Sequence, residues 1–334
     1  MKSGPCYGSQ KRLIRYFIIM KSNRRLKGIQ AAVSSAIFMG MVPIFGKKAM
    51  LFGFSPFAVI TFRTGIALLL LLILMLAFQR RYFYIYFVGL VGCLLAGFVN
   101  GLGSILYYVA LSRLDASVGQ FLYSFYPLFL AFWLLIDRQT INRLTIFRLI
   151  LSIPGIFLLI CTGFKAVDIT GALLMLGSAL LYALHLLINQ RVLYEVPAPT
   201  VTFYTLLAMF VTVVPTYLIF DPKQTFTLNL WWPVLVMAAM TFFSRITLFT
   251  GVKHLGGLQT AILGLGELIV TIVLAQFWLG ERLSTFQWLG AILLTTNLLL
   301  VGFDKFTPEK RLTSGILSWL NPPKIPSTDI PWQS

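Results

Sequence analysis

Charged residues are scarce in this chain. Only 11% of its 334 residues are Asp, Glu, Lys or Arg, whereas 58% are hydrophobic and the mean hydropathy is +0.86. A water-soluble domain needs far more polar surface, so this composition excludes an ordinary soluble protein. The three cysteines have no paired spacing, which argues against a disulfide framework or a zinc site. No Walker-type loop is present, which excludes ATP hydrolysis in cis, and no cofactor or metal is expected.

Basic residues outnumber acidic ones by 27 to 10. Eight of the 27 lie within residues 1–27, and most of the others flank apolar runs. This distribution is typical of a membrane topology signal and of contact with anionic lipid headgroups. The lipid bilayer is therefore the expected partner, and nucleic-acid binding is not expected.

The apolar runs are each long enough to cross about 30 Å of hydrocarbon, and the lipid environment requires them to be helices. Apolar runs bounded by charge, Pro or Gly predict an all-α integral membrane protein with ten transmembrane helices. The predicted limits are 28–46, 55–78, 86–110, 116–136, 144–163, 169–190, 199–220, 231–252, 258–280 and 285–303.

The distribution of Lys and Arg predicts the topology. With a cytoplasmic N-terminus, 19 basic residues lie on the inner side and 6 on the outer side, which favours both termini in the cytoplasm and the cell membrane as the location. Residues 1–27 are then a basic cytoplasmic tail, for which Met1 and Met20 are both compatible start sites. Residues 304–334 are a Pro-rich cytoplasmic tail for which we expect disorder.

Internal repetition divides the spans into two halves. A displacement of 143 residues places Lys48 over Arg191 and Pro56 over Pro199, and a displacement of 141 places residues 112–122 over 253–263. Each half contains five spans, and five is an odd number. Residues 28–163 and 164–303 are therefore predicted to be two inverted five-helix repeats around a central cavity.

A motif in the second half resembles a known family. The segment "GGLQTAILGLG" precedes Glu267, "LGERLS" follows at 279–284, and "QWLGAILL" opens the last span. This pattern resembles the EamA-type ten-helix transporters of the drug/metabolite transporter superfamily, although Leu268 stands where many members carry Pro. The resemblance covers about residues 28–303. It implies a carrier of small molecules, often an exporter, and leaves the substrate open among amino acids, other amines, purines and sugar derivatives.

Glu267 lies deep within a predicted span, where a charge is tolerated only beside a partner or a wet cavity. Arg245 and Glu267 are each 11 residues from the turn at Gly256, so equal depth makes an ion pair possible. Two interpretations stay open: a structural pair that joins two helices, or a role in handling substrate or a proton. Arg63 is the alternative partner, or an anchor for an anion.

Polar and small residues recur every three or four positions in four spans, which predicts a hydrated central cavity. Close packing by small residues explains the glycines of these stripes equally well. The tyrosines are candidates to stack on a cationic or aromatic substrate. The candidate substrate-binding residues are Asn100, Ser104, Tyr108, Gln120, Tyr123, Tyr182, His185, Arg245, Glu267 and Thr271.

These patterns predict a secondary transporter that works by alternating access, and not an enzyme. Its expected partners are a small-molecule substrate and a coupling proton carried by Glu267 or His185, with a monomer or homodimer as the assembly. The alternatives are an intramembrane enzyme, for which "GLGS" at 101–104 with His185 is a weak signal, and a channel or accessory membrane subunit.

Overall fold

A computed structural model describes residues 6–78, 80–139, 168–221, 231–280, 285–299 and 315–320, together with eight isolated positions between 143 and 158. Every regular element in these ranges is helical. The helices are α1 (Cys6–Leu51), α2 (Pro56–Phe78), α3 (Phe87–Arg113), α4 (Ala116–Tyr123), α5 (Tyr126–Ile136), α6 (Ile169–Val192), α7 (Ala198–Phe220), α8 (Trp232–Leu255), α9 (Gly257–Gly264), α10 (Gly266–Leu274) and α11 (Thr285–Leu299). Short turns of other helix types cover Arg80–Phe83, Ala275–Leu279 and Ser318–Leu320.

Eight helical segments in the described ranges are long and apolar enough to cross a bilayer. They correspond to the predicted spans one to four and six to nine. The predicted fifth span, 144–163, lies mainly outside the described residues, and the tenth is described only over Thr285–Leu299. The protein is therefore a multi-pass, all-helical membrane protein in the part that the structure describes.

The first helix is longer than predicted. The spanning part of α1 covers Arg25–Leu51, but the helix itself begins at Cys6, within the segment interpreted as a basic tail. Hydrophobicity marks where a chain enters lipid, whereas helix propensity and continuity decide where the helix begins. The start near residue 28 was therefore wrong for the helix.

The fourth and ninth predicted spans are each interrupted near their middle. The first break separates α4 from α5 at Ser124 and Phe125, just before Pro127, which has no backbone N–H to continue the helical ladder. The second break separates α9 from α10 at Leu265, between two glycines. Shorter-range bonds close both breaks, including Phe125 N–H to Leu122 O and Leu265 N–H to Ile262 O.

The two broken spans lie against each other in antiparallel order. Helix α4 contacts α10, and α5 contacts α9. The Tyr126 hydroxyl donates to the carbonyl of Ala261 at 2.9 Å, close to the second break. A buried carbonyl at an interrupted helix needs such a partner, because no water reaches it in the membrane.

The remaining spans interlock. Helix α1 packs along α8 and against α10, whereas α6 packs along α3 and against α4 and α5. Helix α2 contacts both α7 and α8, and α3 contacts α7. The first helix of each predicted half thus lies against helices of the other half, so neither half forms a separate bundle.

One end of the molecule is closed by a buried ion pair. Arg191, at the end of α6, bonds to Asp137, just beyond α5, and both side chains are almost completely buried. The backbone N–H of Leu317 donates to Asp137 Oδ1 at 3.1 Å, and Leu320 is fully buried beside α3 and α6. Residues 315–320 are therefore ordered and docked on the helices, which corrects the expectation of disorder for this part of the tail.

A second, exposed ion pair lies at the other end of α3. Arg113 Nη1 is 3.2 Å from Asp168 Oδ2, and Asp168 also caps α6 by accepting from Thr170 N at 2.9 Å. The hydrogen bond from Arg113 is the main cause that lowers the pKa of Asp168 below its usual range. Because both side chains are substantially exposed, this pair contributes little to stability.

Helix α3 packs tightly against α7 at Gly97. A Cβ atom added there would lie 2.5 Å from both Thr205 O and Ala208 Cβ. We expect Gly97→Ala to destabilise the protein by about 1–3 kcal/mol, because the two backbones must separate. Gly177→Ala on α6 is the matched control, since its new Cβ would meet only Leu106 Cδ1 at an ordinary 3.4 Å. Thermal melting of the two purified variants measures the difference, and equal melting temperatures would refute close packing at Gly97.

Candidate functional site

A cavity lies between the two broken spans and helices α1, α2, α3, α6 and α8. Its wall combines tyrosines, small polar groups and three charged side chains. The residues that line it are Met39, Val42, Pro43, Arg63, Asn100, Gly103, Ser104, Tyr107, Tyr108, Gln120, Tyr123, Ser178, Tyr182, Arg245 and Glu267.

The charged side chains of the cavity are Arg63, Arg245 and Glu267, which are only 3–5% exposed. Arg245 lies within electrostatic range of both other groups. Among the described residues, however, Arg245 and Glu267 form no ion pair within 4.0 Å, and Glu267 Oε1 has no hydrogen-bond partner. Arg245 and Glu267 thus line the same cavity, but they do not form the direct ion pair that the sequence made possible.

The carboxylate of Glu267 has an uncharged neighbour instead. The side chain of Gln120, in α4, lies close enough to interact with the carboxylate, and both residues line the cavity. The side-chain oxygen Oε1 of Gln120 accepts a hydrogen bond from the Tyr107 hydroxyl at 3.1 Å. This hydrogen bond joins α3 and α4 at the cavity wall, next to Glu267 of α10.

Both arginines lie over tyrosine rings. The guanidinium carbon of Arg63 is 5.0 Å from the centroid of Tyr108, and that of Arg245 is 5.9 Å from the centroid of Tyr182. These are cation–π distances, which hold the planar guanidinium groups against aromatic surface. Nη1 of Arg245 also lies 3.5 Å from Nε2 of His185.

The aromatic part of the wall is continuous. Tyr107 contacts Tyr108 and Tyr123 with centroid separations of 5.2 and 5.1 Å. Tyr123 contacts Tyr182 at 5.4 Å, and Tyr126 contacts both Tyr123 and Tyr182 from behind. Edge-to-face and tilted pairs of this kind stabilise rigid, partly polar walls.

The structure brings eight of the ten candidate residues to the cavity; these are Asn100, Ser104, Tyr108, Gln120, Tyr123, Tyr182, Arg245 and Glu267. His185 lies behind Tyr182, where Nδ1 is 2.9 Å from Ala96 O and Asn189 contacts the ring. The hydroxyl oxygen of Thr271 lies 2.8 Å from Gly40 O and 2.9 Å from Glu267 O, so its one proton is shared between two backbone carbonyls. These last two residues do not line the cavity, and the structure places them in helix packing.

The polar stripes of the sequence also divide between cavity and packing. In α3, Asn100 and Ser104 line the cavity, whereas a Cβ at Gly97 or Gly101 would meet α7. In α9, Gly264 lies against the Tyr126 hydroxyl. The glycines of these stripes thus allow close packing of helices, which was the alternative interpretation of the stripes.

Sequence reasoning did not find the contribution of α1, which consists of Met39, Val42 and Pro43. These side chains are apolar, so a search for polar stripes passes over them. The repeat offers a signal, because the displacement of 143 residues places Met39 over Tyr182. In the described residues, no group of three or more His, Cys, Asp or Glu side chains could hold a metal ion.

The comparison with protein families decides the class. The EamA-like transporter family matches the chain twice, over residues 26–161 and 169–303. The chain belongs to this family. In this EamA-like transporter both matched segments contribute to the cavity, with Arg63 and Gln120 from the first and Arg245 and Glu267 from the second.

Two curated relatives are named as uncharacterized transporters. One, sll1319 of Synechocystis sp. (strain ATCC 27184 / PCC 6803 / Kazusa), is 26% identical over 234 residues, which are 65% of this chain and 67% of that protein. The other, YcbK of Bacillus subtilis (strain 168), is 23% identical over 201 residues, which are 57% of this chain and 64% of that protein. The matches thus span about two thirds of each relative.

A solved crystal structure has a similar fold. It covers 83% of this chain and 97% of its own, with a TM-score of 0.66 and 13% sequence identity. This likeness concerns the fold alone.

Proposed function

We propose that this EamA-like protein is a secondary transporter that moves small metabolites through the membrane by alternating access. The observation that carries the proposal is the cavity between two interrupted helices, with the buried side chains of Arg63, Arg245 and Glu267 in its wall. Interrupted spans at corresponding positions of two halves are typical of carrier binding sites near the midplane. Buried charges without a direct partner fit a site that a substrate completes.

The proposed architecture is ten helices in two inverted repeats. Three observations support it. The displacement of 141 residues places α4 over α9 residue for residue, including the positions of the breaks. The two broken spans pack antiparallel, and the contact of α1 with α8 has its counterpart in the contact of α6 with α3.

Equivalent positions also make equivalent contacts. Lys48 at the end of α1 lies 4.9 Å from the ring centroid of Trp278. Arg191 at the end of α6 is its counterpart, and Arg191 contacts Asp137, which the displacement of 141 places over Trp278. The cation–π contact of Lys48 with Trp278 is thus at the position equivalent to the ion pair of Arg191 with Asp137.

These two contacts lie at opposite ends of α3. Lys47, next to Lys48, donates to Leu111 O and Leu114 O, whereas a Cβ at Gly92 would meet Val192. The 22 residues between Gly92 and Leu114 correspond to about 33 Å of helix. We therefore propose that the contact at Lys48 and the contact at Arg191 break in turn as the cavity opens to one side and then the other.

The proposed roles follow from the geometry. Asn100, Ser104, Tyr108, Gln120, Tyr123 and Tyr182 bind the substrate together with Arg245, and Glu267 carries a coupling proton. The distribution of Lys and Arg favours a location in the cell membrane with both termini in the cytoplasm. In that orientation the end of the helices that contains Arg191 faces the cytoplasm. Export is the proposed direction, and it rests on the family resemblance.

Counterflow in liposomes tests the function. Purified protein is reconstituted into vesicles loaded with an unlabelled metabolite mixture, and uptake of each labelled metabolite is followed. We expect transient, saturable accumulation that requires the same compound inside and yields no product. Uptake that is linear in concentration would indicate a channel, and conversion of the label would indicate an enzyme; either result would overturn the proposal.

A further inference from the structure

The charge of the cavity wall defines the charge of its ligand. Arg63, Arg245 and Glu267 are the charged residues that line the cavity in the described part of the chain. With Glu267 ionised the wall carries an excess of one positive charge, and with Glu267 protonated the excess is two. The excess is thus positive in either state.

The two guanidinium groups also have unused donors. Nε of Arg63 and Nε of Arg245 are buried and have no hydrogen-bond partner among the described residues. The contacts that hold these groups are the rings of Tyr108 and Tyr182 and the nearby His185, none of which is an anion. The one nearby carboxylate, Glu267, balances at most one of the two buried guanidinium charges, so an anion that compensates the other is favoured.

The guanidinium group selects the type of anion. Its planar array of N–H donors matches the two oxygens of a carboxylate better than it matches a spherical ion. The continuous wall formed by Tyr107, Tyr108, Tyr123 and Tyr182 presents ring faces and edges next to these donors. Aromatic surfaces of this kind favour a flat apolar body.

We propose that the cavity binds a small organic monoanion, in which a carboxylate on a flat apolar body pairs with Arg63 and Arg245. This inference rests on the proposed transport function for its biological meaning. A cation would meet two like charges in the wall. A zwitterion could engage Glu267 as well, but it would leave the positive excess in place.

Binding to the purified, full-length protein tests the ligand class without requiring transport. Four probes share one body and differ in charge: phenylacetate, its neutral amide, phenethylamine and phenylalanine. Thermal-shift titration in detergent is expected to give the strongest stabilisation with phenylacetate. The Kd for phenylacetate is expected to rise roughly tenfold or more in Arg63→Gln and in Arg245→Gln, as loss of a charge-assisted contact predicts.

Two further variants keep the test independent of folding defects. Arg113→Gln removes an exposed arginine and is expected to leave the Kd unchanged. Glu267→Gln removes the negative charge of the wall and is expected to tighten phenylacetate binding. Preference for phenethylamine, for the amide or for phenylalanine would overturn the ligand class, and so would an unchanged Kd in both well-folded cavity arginine variants.

The two proposals can fail separately. Anion binding without counterflow of any labelled compound would leave the ligand class standing and remove the transport function. Saturable counterflow of cations or neutral compounds, with no binding of anions, would do the reverse.

Discussion

Arg191→Gln is expected to lower the free energy of unfolding by about 3–5 kcal/mol, as loss of one partner from a buried ion pair does. The reason is that the Asp137 carboxyl group, only 2% exposed, would stay buried without the guanidinium group that pairs with it. Asp137→Asn should act similarly, and it also weakens the acceptor for the backbone N–H of Leu317. The decisive measurement is thermal melting of each purified variant by size-exclusion chromatography after heating.

The chain contains a matched control for this prediction. Arg113→Gln and Asp168→Asn break an ion pair of the same residue types, but one whose side chains are 51% and 36% exposed. Such a pair contributes no more than about 1 kcal/mol. If all four variants had the same melting temperature, the buried pair would contribute no more to stability than the exposed pair.

Limited proteolysis extends the same test to the docked segment. Residues 315–320 are held by Asp137 and by burial of Leu320. We expect Asp137→Asn to expose this segment to cleavage at lower protease concentration than Asp168→Asn does. Cleavage at the same protease concentration in both variants would show that Leu320, rather than Asp137, holds the segment.

The hydrophobic pattern predicted most of the fold because lipid imposes both the length and the helical conformation of a span. The ends of α2, α3 and α6 to α8 lie within about three residues of their predicted positions. The breaks at Ser124 and Leu265 were missed, since hydropathy is blind to them. The signals for these breaks are Pro127 in the first and the flanking glycines in the second.

The sequence predicted how deep in the membrane the candidate residues lie, but not which way each helix turns its side chains. Equal distance from Gly256 placed Arg245 and Glu267 at one level, and the cavity contains both. Whether they touch depends on how α8 and α10 rotate about their axes, which periodicity does not resolve. The same limit applies to His185, one turn beyond Tyr182, whose ring lies behind the cavity wall and bonds to Ala96.

Apolar lining escaped prediction for a different reason. Met39 and Val42 lie within residues 36–46 of α1, where every position is apolar, so composition cannot distinguish a cavity wall from a lipid face. Only a neighbouring helix identifies which face is inner. Packing of α1 along α8 supplies that information in the structure.

The second large effect is expected for Glu267→Gln. The substitution keeps the size of the side chain and its capacity to hydrogen-bond, but it removes the charge and the exchangeable proton. If Glu267 couples a proton to transport, the variant should bind substrate yet lose at least about tenfold in the rate of proton-driven transport, as loss of a contact to a charged group predicts. Transport of labelled substrate into vesicles, with and without an imposed pH gradient, measures this rate.

Glu195→Gln serves as the control, because Glu195 lies between α6 and α7 and not in the cavity wall. Counterflow without a gradient separates two failures in the Glu267 variant. Counterflow that persists while gradient-driven transport is lost assigns Glu267 to coupling, since the cavity still opens to each side in turn. Loss of both would assign it to the conformational change or to substrate binding. Unchanged gradient-driven transport would remove Glu267 from the mechanism, and its buried carboxylate would then serve only to balance the two arginines of the wall.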